Sequence, residues 1–148
     1  MLVTQKNQYA LRAIFELAKL RGKGPIKISD IAESQAIPYR FLEVILNQLK
    51  HGGLVKSKRG YTGGYELIRE PEKVSVGDVF RAMEESVGPI ECVACTSKNV
   101  CPFEGNCVFF PMWKKVEDAI YHVFDKTSIK DLLEDESMDD NMNTNCCT

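Results

Sequence analysis

Residues 38–68 constrain this chain more tightly than any other stretch. From Pro38 to Lys50, the apolar residues Phe41, Leu42, Ile45, Leu46 and Leu49 make one stripe at helical spacing, and Tyr39, Arg40, Glu43, Asn47 and Lys50 occupy the opposite face. Proline suits the first position of such a helix, because its ring presets the dihedral and its missing N–H is not needed there. His51-Gly52-Gly53 then ends the helix, since glycine accepts the left-handed C-terminal conformation without strain. Residues 54–58 and 65–68 read as two short strands around the turn Arg59-Gly60-Tyr61-Thr62-Gly63-Gly64. A one-sided helix followed at once by a two-stranded hairpin cannot bury its own stripe, so other helices must cover it.

Those helices are legible on both sides. Ala10, Ala13, Ile14, Leu17 and Ala18 repeat at helical spacing before Gly22, Gly24 and Pro25, which predicts an amphipathic helix over residues 5–20. Ser29 is placed to cap a second, short helix carrying Ile31 and Ala32 and ending in the turn Gln35-Ala36-Ile37. After Pro71, Ser75 and Asp78 form a capping-box pair ahead of Val76, Val79, Phe80 and Met83, and Gly88-Pro89 breaks that helix. Trp113, Val116, Ala119, Ile120, Val123 and Phe124 mark a further helix of about four turns. Ser128 with Asp131 caps a last short one carrying Ile129, Leu132 and Leu133. Residues 134–148 are acidic, Asn-rich and free of aromatics, and read as a disordered tail.

The expected fold is mainly α with one small β-hairpin: a winged helix-turn-helix over residues 1–70, a region with the cysteine loop and the long helix over 71–133, and the acidic tail over 134–148. At 148 residues the chain suits one compact unit. Charge divides it sharply. Up to Arg69 there are 12 Lys+Arg against 5 Asp+Glu, and from Glu70 onward 7 against 16. The basic part therefore suits a polyanion, and the acidic part is kept away from one. In a winged helix-turn-helix the second helix of the pair enters the major groove of DNA with its N-terminal residues, which makes Tyr39, Arg40 and Glu43 the candidate base readers. Lys56, Lys58, Arg59 and Gly60 are the candidate wing contacts, with an arginine at the tip suited to a narrow minor groove. Lys6, Arg12, Glu16 and Lys19 interrupt the first twenty residues, and nowhere do eighteen apolar residues run together, so the expectation is a cytoplasmic protein without secretory signal or membrane span. His51 and His122 have no evident nucleophile beside them, and no enzymatic constellation is visible.

Six cysteines are many for such a chain, and Cys92, Cys95, Cys101 and Cys107 fall within sixteen residues. In a reducing compartment thiols this close bind metal or do redox chemistry more often than they form structural disulfides. Spacing alone leaves zinc and iron-sulfur both open, since the set lacks the paired knuckles of common zinc ribbons and fails the ferredoxin spacings. Free redox-active thiols are the third possibility. Cys146 and Cys147 lie in the tail and read as exposed thiols without a role.

The segment ISDIAESQAIPYRFLEVILNQLKHGGLVKSKRGYTGGYEL, residues 28–67, closely resembles the Rrf2 family of bacterial regulators. The opening Tyr9-Ala10-Leu11-Arg12, the segment VSVGDVFRAMEE (74–85) and the closing TSIKDLL (127–133) resemble it too, so the likeness runs from the start to about Glu134. It implies a sequence-specific DNA-binding transcription regulator, a repressor by expectation, that forms a homodimer through the long helix and binds a pseudo-palindromic double-stranded operator. It further implies sensing of iron-sulfur, redox or nitric-oxide status through a two-iron or four-iron cluster, with Cys95, Cys101 and Cys107 as ligands. The alternative is a constitutive regulator with a structural zinc or thiol site. The fourth ligand departs from the family: the place of a ligating histidine holds Phe110, and the place of an acidic residue lent by the partner's first helix holds Gln8. Cys92 is then the expected substitute, completing an all-thiolate set.

Overall fold

The structure is a computed structural model that describes residues 3–83, 103 and 106–139. Its elements run α1 (Gln5–Lys19), α2 (Ile28–Ser34), α3 (Tyr39–His51), β1 (Val55–Lys58), β2 (Gly64–Leu67), a single 3-10 turn (Pro71–Lys73), α4 (Val76–Ala82), α5 (Phe110–Lys126) and α6 (Ile129–Asp139). Thr4 starts α1, its hydroxyl accepting from the Asn7 backbone N–H at 3.2 Å. The face Ala10, Ala13, Ile14, Leu17 and Ala18 is buried, as its spacing predicts. The same core takes Leu42, Ile45, Leu46 and Leu49 from α3, Val55 and Leu67 from the hairpin, Val79 and Phe80 from α4 and Ile129 from α6. The basic and acidic parts of the chain thus share one apolar interior.

Two helices of the acidic part begin side by side. Ser75 and Ser128 are joined in an antiparallel bridge, with Val76 N–H donating to the Thr127 carbonyl at 3.0 Å and Ile129 N–H to the Val74 carbonyl at 2.8 Å. Both serines are caps. The Ser75 hydroxyl accepts from Asp78 N–H and the Asp78 carboxylate from Ser75 N–H, and Ser128 and Asp131 repeat the exchange. Those bonds from Ser128 hold the Asp131 carboxyl below its ordinary value. α5 meets α4 closely, because Gly77 has no side chain to strike Asp125. Arg81 reaches across with both carboxylate oxygens of Asp125 at 2.5 and 2.6 Å, and Phe80 meets Phe124 edge-on at 4.9 Å.

Several expectations shift. Ser29 does not cap α2; Lys27 holds that position without a side-chain bond, and the Ser29 hydroxyl donates to Asp30 at 3.0 Å instead. Pro38 stands one place earlier than expected, as the N-cap of α3. Phe41 leaves the stripe it was assigned to and is 61% exposed, because Leu42, Ile45, Leu46 and Leu49 already fill the buried arc. The last helix runs to Asp139, past Glu134 where the tail was expected to begin, and Lys19 of α1 holds Glu136 at 3.0 Å. Residues 140–148 lie outside the described residues. Among the described residues no helix is long and apolar enough to cross a membrane.

The hairpin is tied to the chain ahead of α2. Ile26 N–H donates to the Tyr65 carbonyl at 2.9 Å and Tyr65 N–H to the Ile26 carbonyl at 2.8 Å. Gly64 permits this approach: at φ +156°, a Cβ on it would lie 2.3 Å from the Ile26 oxygen and 2.5 Å from its carbonyl carbon. Gly22 also has positive φ but faces open space. Gly64→Ala is therefore expected to lower stability by at least about 1 kcal/mol more than Gly22→Ala, since only the first adds a backbone collision to left-handed strain. Urea unfolding of the two variants measures the difference.

Candidate nucleic-acid interface

The candidate interface is built on the turn between α2 and α3. Ala36 takes a positive φ of 50°, and Ile37 N–H returns to the Ala32 carbonyl at 2.9 Å. From α1, the mostly buried Glu16 carboxylate accepts from the Gln35 amide at 2.7 Å, fixing the turn against the core. With Ile37, Leu42, Ile45 and Leu46 pointing inward, Tyr39, Arg40, Glu43, Asn47 and Lys50 are left exposed along the outer face of α3. Val44 joins that face at 56% exposure, a position that the apolar pattern alone does not single out.

The wing is in register Val55↔Leu67, Lys56↔Glu66, Ser57↔Tyr65 and Lys58↔Gly64. This register pairs Lys56 with the Glu66 carboxylate at 3.0 Å across the strands, a partly exposed ion pair within the hairpin. Lys58 and Arg59 differ: both are exposed, and neither has an ion-pair partner among the described residues. Gly60 has a φ of +110° and opens on empty space, while Gly63 lies so close to the Lys58 carbonyl that a side chain there would not fit. Burial, then the Glu43 carboxylate and Tyr39, push the Tyr65 hydroxyl above its ordinary value.

Two residues outside the expected set also belong to this surface. Tyr61 is 93% exposed at the tip of the wing, and the Lys27 ammonium from the start of α2 stands 5.3 Å from its ring centroid. An aromatic in a glycine-rich turn is itself a signal of exposure. Nothing local in the sequence pairs it with Lys27.

The cysteine set is only partly in view. Cys107 is half-buried just ahead of α5, its carbonyl accepting from Phe110 N–H at 3.3 Å. Cys92, Cys95 and Cys101 lie outside the described residues, as do Cys146 and Cys147. Among the described residues no three His, Cys, Asp or Glu side chains gather to hold a metal ion. Phe110 opens α5 and is exposed, and Gln8 is exposed on α1.

Comparison with known proteins gives this geometry its family. The model of the Rrf2 family, described as iron-dependent transcriptional regulators, matches residues 3–135. The HTH-type transcriptional regulator IscR of Aliivibrio salmonicida is 33% identical over 138 residues, covering 93% of this chain and 80% of that protein. The solved structure of T. potens IscR superposes with a TM-score of 0.71 at 34% identity, over 92% of this chain and 88% of that one. CymR, the global cysteine regulator of B. subtilis, superposes with a TM-score of 0.70 at 32% identity, over 89% of this chain and 95% of that one. An α2–α3 pair with an outward polar face, a glycine-tipped wing beside it and relatives that match both over most of their length make this chain a DNA-binding transcriptional regulator of the Rrf2 family, not an enzyme.

Proposed function

We propose that the chain binds a pseudo-palindromic operator as a homodimer and that cluster chemistry at its cysteine loop sets how long it stays there. The observation that carries the DNA reading is the set of exposed cations without an ion-pair partner among the described residues, Arg40 on α3 with Lys58 and Arg59 on the wing. Arg40 and Glu43 have the chemistry to read base edges in the major groove, guanine by the guanidinium fork and cytosine by the carboxylate. Tyr39 sits at the helix start beside them. Lys58, Arg59 and Gly60 form the wing contact, and Lys56, drawn to Glu66, contributes less.

Dimerisation is supported by the two sides of α5. Ile120, Tyr121 and Phe124 pack inward on the core, while Val116 and Val123 are left exposed on another side, Val123 at 59%. An apolar stripe of this kind on a helix suits a second copy of the same helix.

The donor chemistry of the loop fits an iron-sulfur cluster: Cys95, Cys101 and Cys107 supply three thiolates and Cys92 the fourth. When bound, such a cluster supplies a centre that oxygen, nitric oxide or iron shortage alters. What the chain supplies is the connection. Cys107 stands three residues before α5, and the far end of α5 is fixed to α4 by Asp125 and Arg81, so the thiol is joined through one helix to the shared core. Changing the order of the loop biases the spacing of the two reading surfaces, a shift of populations between two arrangements.

Three outcomes are expected. Affinity for a duplex selected from a random-sequence library falls by about 10³ to 10⁵ between about 50 and 200 mM salt, and Arg40→Ala or Glu43→Ala changes the preferred base at one position of each half-site. A flat salt response removes the DNA reading. Val123→Asp, which puts a charge on an outward side and not in the core, separates the dimer in sedimentation while the far-ultraviolet spectrum is kept; a native monomer overturns the palindromic operator. Protein purified without oxygen is brown and contains iron and sulfide. Its colour is lost in Cys95→Ala, Cys101→Ala and Cys107→Ala, bleaches faster in air in Cys92→Ala, and is unchanged when Cys146 and Cys147 are both replaced by alanine. Colourless protein containing zinc rejects the cluster.

A further inference from the structure

A tyrosine ring exposed to solvent over nine-tenths of its surface contributes little to the fold that carries it. Tyr61 is such a ring, and it stands at the tip of the wing. It is nevertheless not isolated, because Lys27 Nζ lies 5.3 Å from its centroid. At an exposed site this cation–π contact contributes about 0.5–1 kcal/mol, too little to account for placing two long side chains against each other. The arrangement is set by backbone. Lys27 follows Ile26, which the paired hydrogen bonds at 2.9 and 2.8 Å lock to Tyr65 of the wing, and the missing side chain of Gly64 allows the strands to close. Tyr61 is carried toward Lys27 by the same hairpin, whose turn is tightened by Gly63 against the Lys58 carbonyl.

Charge shows what the pair faces. Lys27, Lys58 and Arg59 have no ion-pair partner among the described residues, whereas Lys56 on the same hairpin does. Three unneutralised cations thus belong to the neighbourhood of one exposed phenol. Resting on the reading of α3 and the wing as the DNA face, we propose that Lys27 and Tyr61 form a backbone clamp: ammonium and phenol hydroxyl donate to a DNA phosphate beside the wing, and the ring lies along the adjoining deoxyribose. Such a contact positions the protein without reading sequence. Because Lys27 is also the N-cap of α2, the clamp grips the duplex at the joint between the wing and the helix pair.

The test uses the full chain and a duplex selected by it from a random-sequence library, with affinity measured by fluorescence anisotropy at several salt concentrations. Lys27→Met is expected to weaken binding about tenfold and to lower the salt slope by about one for each bound subunit, with the preferred bases unchanged. Tyr61→Ala weakens binding similarly, Tyr61→Phe recovers the ring's share only, and the double variant loses less than the product of the two single losses. Thermal unfolding of each variant stays near that of the native chain, since both side chains are exposed. Wild-type affinity and slope in Lys27→Met and Tyr61→Ala, with Arg59→Ala still weakened, overturn the clamp and leave the DNA face standing. A changed base preference in Tyr61→Ala overturns it as well, by making the ring a reader. If the native chain selects no duplex, the DNA-face assignment itself falls and the clamp with it.

Discussion

The close approach of Gly64 to Ile26 ties the wing to the chain that leads into α2. A two-stranded hairpin alone is marginal in water. Here a short isolated bridge to Ile26 adds a third backbone to it, and that backbone leads straight into α2. Through α2 and the Glu16–Gln35 bond the turn ahead of α3 is fixed to α1, and Val55 and Leu67 of the wing enter the same core as α3. The placement of the wing relative to α3 is therefore set by backbone and core. Side chains on the outer surface are free to vary without disturbing it.

That division explains how much of the molecule was legible before the structure. Helices α1 and α3 follow from apolar spacing because each packs one side on the core, and the capping boxes at Ser75 and Ser128 are local patterns whose partners lie three residues away. Phe41 was misplaced because it borders the arc already filled by Leu42, Ile45 and Leu49, and a hydrophobic stripe does not record its own width. Ser29 failed as a cap for a similar reason: α2 is entered from the wing bridge, which fixes its start at Lys27. The extension of α6 to Asp139 depends partly on Lys19, more than one hundred residues away. The pairing of Lys27 with Tyr61 and the neutralisation of Lys56 by Glu66 likewise belong to tertiary placement and register.

The charge division near residue 70 and the packing do not coincide. Basic and acidic parts share the interior formed by Ile14, Leu46, Val79 and Ile129, so nothing in the core separates them. The opposition is confined to the surface. An acidic surface of this kind repels a polyanion, so it can orient one by exclusion as much as by attraction.

Helix α5 also has a mechanical character. One end is pinned by Asp125 to Arg81, by Phe124 to Phe80 and, just beyond, by the bridge at Ser128; the other end begins beside Cys107. Seventeen residues at about 1.5 Å each make an arm of roughly 25 Å. On such an arm a displacement of about 4 Å at the thiol end turns the pinned end through roughly 10°. The fulcrum lies on α4, whose Val79 and Phe80 are packed in the same interior as α1 and α3, so a short travel near the cysteine would be delivered to that interior as torque.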